Sequence, residues 1–177
     1  MNGYLKSALR KLFSTNADEV WEALFVLGGA EGPLPTNRIV SRVLDLIQNM
    51  DSRIQERAIF VAAIHWHLPN TFDMLRVLLR KRNSDLLVML CAIRGISSIA
   101  SHQTDLMDEA SALLASIALD RASDDRVRVT AYSSLLRLHR RIVDRCLGVG
   151  KETATNLESD RAWIESHLKP SHTVQIQ

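Results

Sequence analysis

Apolar residues recur at helical spacing along this chain, and the pattern repeats around a series of alanines. Three segments centre on Ala58, Ala92 and Ala131, and a weaker copy centres on Ala23 with Asn16 seven residues upstream. In the three stronger copies an aspartate stands seven residues before the alanine and a β-branched residue four before it. The aspartates are Asp51, Asp85 and Asp124, and the β-branched residues are Ile54, Val88 and Val127. Successive alanines lie 34 to 39 residues apart, which indicates an internal repeat.

Each copy carries the signals of a helix. Aspartate or asparagine is a preferred N-cap because its side-chain oxygen accepts hydrogen bonds from the unpaired amides of the first turn. The positions four before, four after and seven after the alanine then share one face of the helix with it. The small alanine lets a neighbouring helix approach closely. We therefore predict a helix after each of Asn16, Asp51, Asp85 and Asp124.

Further segments with apolar residues three and four apart lie between the anchored helices and are expected to pair with them. They span residues 36–48, 70–81 and 104–121, with a leading helix at 4–13 and a closing helix at 157–168. The connections are short, so consecutive helices should be neighbours in space. We predict a single domain over residues 1–168 and a flexible C-terminal tail over residues 169–177.

Three segments resemble the second helix of HEAT repeats: DSRIQERA, NSDLLVMLCAIRGI and SDDRVRVTAYSSLLRL. That helix commonly has an acidic cap, a branched apolar residue, often an arginine, and then alanine and leucine. The third segment matches best, with Val127, Arg128, Ala131 and Leu135, whereas the second has Met89 where arginine is usual. The resemblance covers roughly residues 14–145 and implies an all-α fold, a right-handed α-α superhelix (HEAT-like solenoid) of about four helix pairs plus a C-terminal helix. A plain helical bundle is the alternative.

The same resemblance implies that the second helices line a concave face, where residues opposite the alanines are presented together. These candidate partner-binding residues are Trp21, Phe25, Glu56, Phe60, His67, Arg94, Arg137 and Arg140. They give the face an aromatic, slightly acidic end and a cationic end, and Trp and Arg are frequent at interface hot spots. In the alternative interpretation the aromatic residues pack in the core between layers and the arginines are ordinary solvated surface.

Composition limits the class of partner and the compartment. Of the 177 residues 46% are hydrophobic, and 22 Lys and Arg stand against 20 Asp and Glu, a net charge of +2. A strongly basic nucleic-acid-binding protein would look different. The chain has no run of eighteen apolar residues, and its start, MNGYLKSALRKLF, lacks the apolar region of a signal peptide. We therefore expect a cytoplasmic protein with no membrane partner.

No motif for catalysis, cofactor binding or metal binding stands out. His65 and His67 are two residues apart, which points them away from each other on a helix, whereas a helical metal site needs a spacing of three or four. The glycine-rich stretch GGAEGPLP lacks the Lys-Ser/Thr ending of a phosphate-binding loop and is interpreted as a helix C-cap and loop. Cys91 and Cys146 are interpreted as ordinary buried thiols. We expect no enzyme, no cofactor and no metal.

These observations lead to two hypotheses about function. The first is a helical-repeat adaptor or inhibitor that binds another protein. Small bacterial HEAT-like proteins of this size look similar to immunity proteins, so the resemblance implies that the partner is a toxin domain whose active site this protein covers. The alternative is a nucleic-acid-binding protein related to HEAT-like alkylpurine DNA glycosylases. Those enzymes need a broadly basic groove with a central carboxylate, whereas here Glu22 and Glu56 lie at the aromatic end and the arginines at the other.

Overall fold

A computed structural model describes residues 3–32, 36–81, 85–139 and 154–168. The regular elements within those ranges are all helical, and none of the residues they contain forms a strand. The all-α prediction is therefore confirmed. The chain divides into two compact units, residues 1–99 and 100–177. The single domain over residues 1–168 stays a prediction, and the tail over 169–177 lies outside the described residues.

Six α-helices lie in the part of the first unit that the structure describes. They are α1 (Gly3–Lys11), α2 (Ala17–Leu27), α3 (Asn37–Leu46), α4 (Ser52–Ile59), α5 (Thr71–Arg80) and α6 (Leu86–His102), whose last residues belong to the second unit. Helix α2 packs against α1 and α4, and α3 also packs against α4. The anchored helices α2 and α4 are therefore neighbours of the helices that precede them in the chain.

Four further helices lie among the described residues of the second unit. They are α7 (Met107–Leu119), α8 (Asp125–Leu138), α9 (Ala154–Ser159) and α10 (Arg161–Ser166). Helices α7 and α8 pack together, α9 contacts α8, and α10 contacts α7. The segment predicted as one helix over 104–121 starts with a 3₁₀ turn, Thr104–Leu106, before α7 begins.

The predicted N-caps are confirmed. Side-chain oxygens of Asn16, Asp51, Asp85 and Asp124 each accept a hydrogen bond, at 2.8–2.9 Å, from the backbone amide two residues later. Each bond satisfies one of the amides that the first helical turn leaves unpaired. A side-chain hydrogen bond from Arg53 lowers the pKa of Asp51, and burial opposes this effect only in part.

The four anchor alanines lie in the core. Ala23, Ala58, Ala92 and Ala131 have no exposed surface, as the apolar face of each anchored helix requires. Among the described glycines, Gly95 of α6 has the least space, because an added Cβ would lie 2.9 Å from the Cβ of Ala63. The sequence pattern therefore identified the buried faces of these helices.

Helix α4 continues as a π-helix, Phe60–His65, which the sequence analysis did not predict. The amide of Trp66 closes this segment by donating to the carbonyl of Val61, 2.9 Å away. One residue later, His67 has a positive φ of 51°, an uncommon conformation for a residue with a Cβ. The wider turn changes the direction of side chains that follow Phe60 relative to an uninterrupted α-helix.

The closing segment also differs from the single helix predicted over 157–168. It forms α9 and α10, and the interruption falls at Asp160, which precedes the first residue of α10. The carboxylate of Asp160 accepts a hydrogen bond of 2.7 Å from the phenol of Tyr132, a fully buried residue of α8. A polar contact between residues far apart in sequence thus accompanies the break.

Candidate functional site

Aromatic residues from the first two anchored helices meet around one arginine. The guanidinium carbon of Arg57 lies 5.8 Å from the ring centre of Trp21, 5.0 Å from that of Phe25 and 5.3 Å from that of Phe60. The rings of Trp21 and Phe25, four residues apart on α2, stack with centres 5.6 Å apart. We call these four side chains the Arg57 cradle. Three of them were predicted site residues, and the structure brings them together.

The guanidinium of Arg57 contacts three aromatic rings and has no polar partner among the described residues. Its Nε is buried without a hydrogen-bond partner, and the guanidinium forms no ion pair with any described residue. A cation over the face of an aromatic ring is attracted by the negative charge of that face, and the attraction grows when water is excluded. The cradle therefore presents a cationic group whose hydrogen-bonding capacity the described residues leave unused.

The cradle is partly open to solvent. Phe25 is 54% exposed, one of the most exposed large apolar side chains among the described residues, while Trp21 and Phe60 are half-buried. Exposed aromatic surface beside a charged group is a common feature of binding sites. Packing in the core, the alternative weighed for these aromatics, accounts for only part of their surface.

A groove of about 600 Å³ opens beside the cradle. Its lining residues are Asp18, Trp21, Glu22, Ser52, Arg53, Glu56, Arg57, Asp85 and Leu87. Several of its charges are already matched, because Arg53 bonds Asp51 and Asp18, and the ammonium of Lys11 lies 2.6 Å from Glu22. Glu56 has no ion pair with a described residue, and Leu87 is 65% exposed. The groove thus combines apolar surface with a few unmatched charges.

The other predicted site residues are more scattered. The Nδ1 of His67 lies 3.0 Å from the Ser98 hydroxyl, a contact that links the end of the π-helix to α6. Arg94 is exposed on α6 and Arg137 is exposed on α8, which belong to different units. Arg140 lies outside the described residues. The common cationic end of the groove therefore stays a prediction.

Cys91 lies beneath this surface as a buried thiol, as predicted. Its Sγ donates to the backbone carbonyl of Glu56 at 3.4 Å. Burial, reinforced by the negative charge of Glu56, raises the pKa of the Cys91 thiol to about 12. The reactive thiolate is therefore disfavoured at neutral pH. Cys146 lies outside the described residues.

The second unit contains a cluster that the sequence analysis did not single out. The rings of His139 and His167 lie 4.4 Å apart between centres, and Trp163 contacts both. The Nε2 of His139 is 2.8 Å from the hydroxyl of Ser111, whose proton goes to the carbonyl of Met107. The four-residue spacing of Trp163 and His167 puts them on one helix face, but their contact with His139 depends on tertiary packing.

Arg57 is the important residue that the sequence analysis missed. Its contacts to Trp21 and Phe25 cross more than thirty residues, so local spacing does not reveal them. One signal was available, because Arg57 lies three residues before Phe60 and shares a helix face with it. The anchored repeats, aligned on Ala23 and Ala58, would then have placed both beside the aromatic residues of α2.

No known protein family, curated protein or solved structure matches this chain. The HEAT-like resemblance therefore rests on the sequence pattern alone. In the ranges that the structure describes, no three His, Cys, Asp or Glu side chains gather where they could hold a metal ion. None of the described helices has both the length and the apolar character needed to cross a membrane.

Proposed function

We propose that this chain is a HEAT-like helical-repeat protein, a right-handed α-α superhelix that binds another protein through the Arg57 cradle. The exposed ring of Phe25, stacked on Trp21 beside an arginine with unused donors, carries the proposal. Binding energy at protein interfaces concentrates on a few aromatic and arginine side chains held in fixed positions. The cradle supplies both residue types on helices rather than on loops.

In this proposal the protein acts as an adaptor or an inhibitor and not as an enzyme. Its most specific form is an immunity protein that covers the active site of a cognate toxin in the cytoplasm. Masking needs only steric coverage and complementary charge, and therefore no catalytic group. Arg94 and Arg137 are exposed and have no ion pair with described residues, so they are available for acidic groups of a partner. Arg140 is assigned the same role from the sequence.

The test measures how truncation of the cradle affects capture of a protein partner. The tagged protein is incubated with extract from its source organism and with the purified products of neighbouring genes. We expect Phe25→Ala to weaken capture of the true partner about 30-fold, the loss typical of a hot-spot aromatic. Trp21→Ala should act in the same direction, with a larger effect on folding because this ring is half-buried.

Phe13→Ala is the matched control. Phe13 is 41% exposed and also has an arginine, Arg38, 4.8 Å from its ring centre, but it lies outside the cradle. Its truncation should leave capture unchanged, while thermal unfolding shows that both variants remain folded. Equal binding by wild type and Phe25→Ala would contradict the proposal, as would equal losses in Phe25→Ala and Phe13→Ala.

A further inference from the structure

We infer that the Arg57 cradle binds a single carboxylate, from an aspartate or glutamate that the protein partner presents beside an apolar side chain. This inference rests on the proposed function and names the chemistry that the cradle recognises. Its basis is the unused hydrogen-bonding capacity of Arg57, the rigidity of its setting and the distribution of charge around it.

The first observation is the state of the guanidinium. The arginine side chain carries five N–H donors, and the guanidinium of Arg57 makes no hydrogen bond with any described residue. The Nε is buried, whereas the two terminal nitrogens are not among the buried donors, and Arg57 lines the open groove. A partner can therefore reach the terminal nitrogens, and a carboxylate is the acceptor whose two oxygens match the guanidinium fork.

The second observation is that the fork is already oriented. Three rings surround the guanidinium at 5.0 to 5.8 Å between the carbon and the ring centres. Because the arginine is held before the partner arrives, less side-chain entropy is lost on binding. A lysine in this position would present one point charge without the planar fork, so the arrangement favours bidentate recognition.

The third observation is the charge of the groove, which sets the number of carboxylates that can be accepted. Glu22 and Asp18 are matched by Lys11 and Arg53, but Glu56 and Asp85 have no ion pair with a described residue. Glu56 precedes Arg57 directly, and adjacent helical residues do not face each other. Glu56 and Asp85 repel each carboxylate that enters the groove, so a run of acidic residues is disfavoured more than one carboxylate that pairs with Arg57 and is flanked by apolar surface for Phe25.

The experiment uses three capped hexapeptides as probes. They share phenylalanine at two positions and differ at one central residue, which is glutamate, glutamine or lysine. Affinity is measured by fluorescence anisotropy with the full-length protein, and the Arg57 Nε–H resonance is followed by NMR. We expect the glutamate peptide to bind about tenfold more tightly than the glutamine peptide, the range of one charge-assisted hydrogen-bonded contact. It should also shift the Arg57 resonance saturably.

Two substitutions separate recognition from folding. Arg57→Gln should abolish the preference for glutamate, and Arg57→Lys should retain the charge but lose most of that preference. Arg53→Gln is the control, because Arg53 lines the same groove and is already paired with Asp51. It should keep the tenfold preference. The NMR measurement on the wild type needs no variant, and so it holds even if substitution of Arg57 disturbs the fold.

Several results would overturn the inference. These are equal affinity for the three peptides, tightest binding of the lysine peptide, an Arg57 resonance that does not respond, or no binding of the glutamate peptide at millimolar concentration. The proposed function has a separate readout. If Phe25→Ala still weakens capture of the protein partner, the cradle binds a partner group other than a carboxylate. If Phe25→Ala does not weaken capture, the proposed function fails as well.

Discussion

Individual small residues determine how closely the helices of the first unit can approach. A Cβ built on Gly95 would lie 2.8 Å from the Cδ1 of Leu75 and 2.9 Å from the Cβ of Ala63, closer than real side-chain contacts. Leu75 could rotate, but the Cβ of Ala63 is fixed to its backbone. Both neighbours are completely buried. The absence of a side chain at position 95 is therefore a packing requirement of α6.

Substitution of this glycine should destabilise the protein. Overpacking of a core costs about 1–3 kcal/mol, and alanine recovers somewhat less than about 1 kcal/mol through its higher helix propensity. We expect Gly95→Ala to lower the free energy of unfolding by about 1 kcal/mol, measured by urea denaturation. Gly29→Ala is the control, because its Cβ would meet nothing closer than 4.0 Å. A Gly95→Ala variant as stable as wild type would show that α6 can shift without cost.

Helix starts illustrate how far local sequence determines an element. The caps at Asn16, Asp51 and Asp124 depend on the side chain and on amides two or three residues away, so the sequence alone predicted them. The π-helix Phe60–His65 and the break at Asp160 could not be found in this way. The hydrogen bond at Asp160 comes from a residue 28 positions earlier, and such contacts have no local signature.

The cap at Asp51 gives a prediction at the scale of one element. Loss of an N-cap aspartate costs about 1 kcal/mol, so Asp51→Ala should lower the free energy of unfolding by that amount. Asp51→Asn is the matched control, because asparagine retains an oxygen that can accept the bond from the Arg53 amide. The loss of stability in Asp51→Asn should be smaller, since this substitution removes only the charge and the ion pair with Arg53. Equal losses in both variants would mean that the charge matters more than the cap.

Because the pKa of Asp51 is lowered in the folded protein, the stability that Asp51 contributes should depend on pH. A carboxyl group with a lower pKa in the folded state binds its proton more readily when unfolded, so it stabilises the fold above its ordinary pKa. That contribution is lost as the pH falls through and below the ordinary pKa. The stability difference between wild type and Asp51→Asn should therefore shrink in acid. Urea denaturation at neutral pH and near pH 3 checks this, and a constant difference would contradict it.

For the whole molecule, the repeat predicted which faces are buried but not which surface is used. The anchor alanines are all buried because helical periodicity is a property of the sequence. Local spacing did not reveal the Arg57 cradle, because it requires the side chains of α2 and α4 to meet across more than thirty residues. Three of its residues were selected from the sequence by their position opposite an alanine. Arg57, which the three rings surround, was not selected.

The net charge of the whole chain favours protein binding over nucleic-acid binding. A net charge of +2 gives little general attraction for phosphates, and several arginines are already paired with carboxylates. Arg53 bonds Asp51, Arg126 bonds Asp124, and Arg128 bonds Asp125. We expect duplex DNA to bind with a dissociation constant weaker than about 100 μM at physiological salt, the weak end of nonspecific affinity. Anisotropy with a fluorescent duplex across a salt series measures this. Micromolar or tighter binding that falls steeply with salt would instead support the glycosylase-like alternative. In that case Arg94→Glu should reduce the slope of log affinity against log salt concentration by about one.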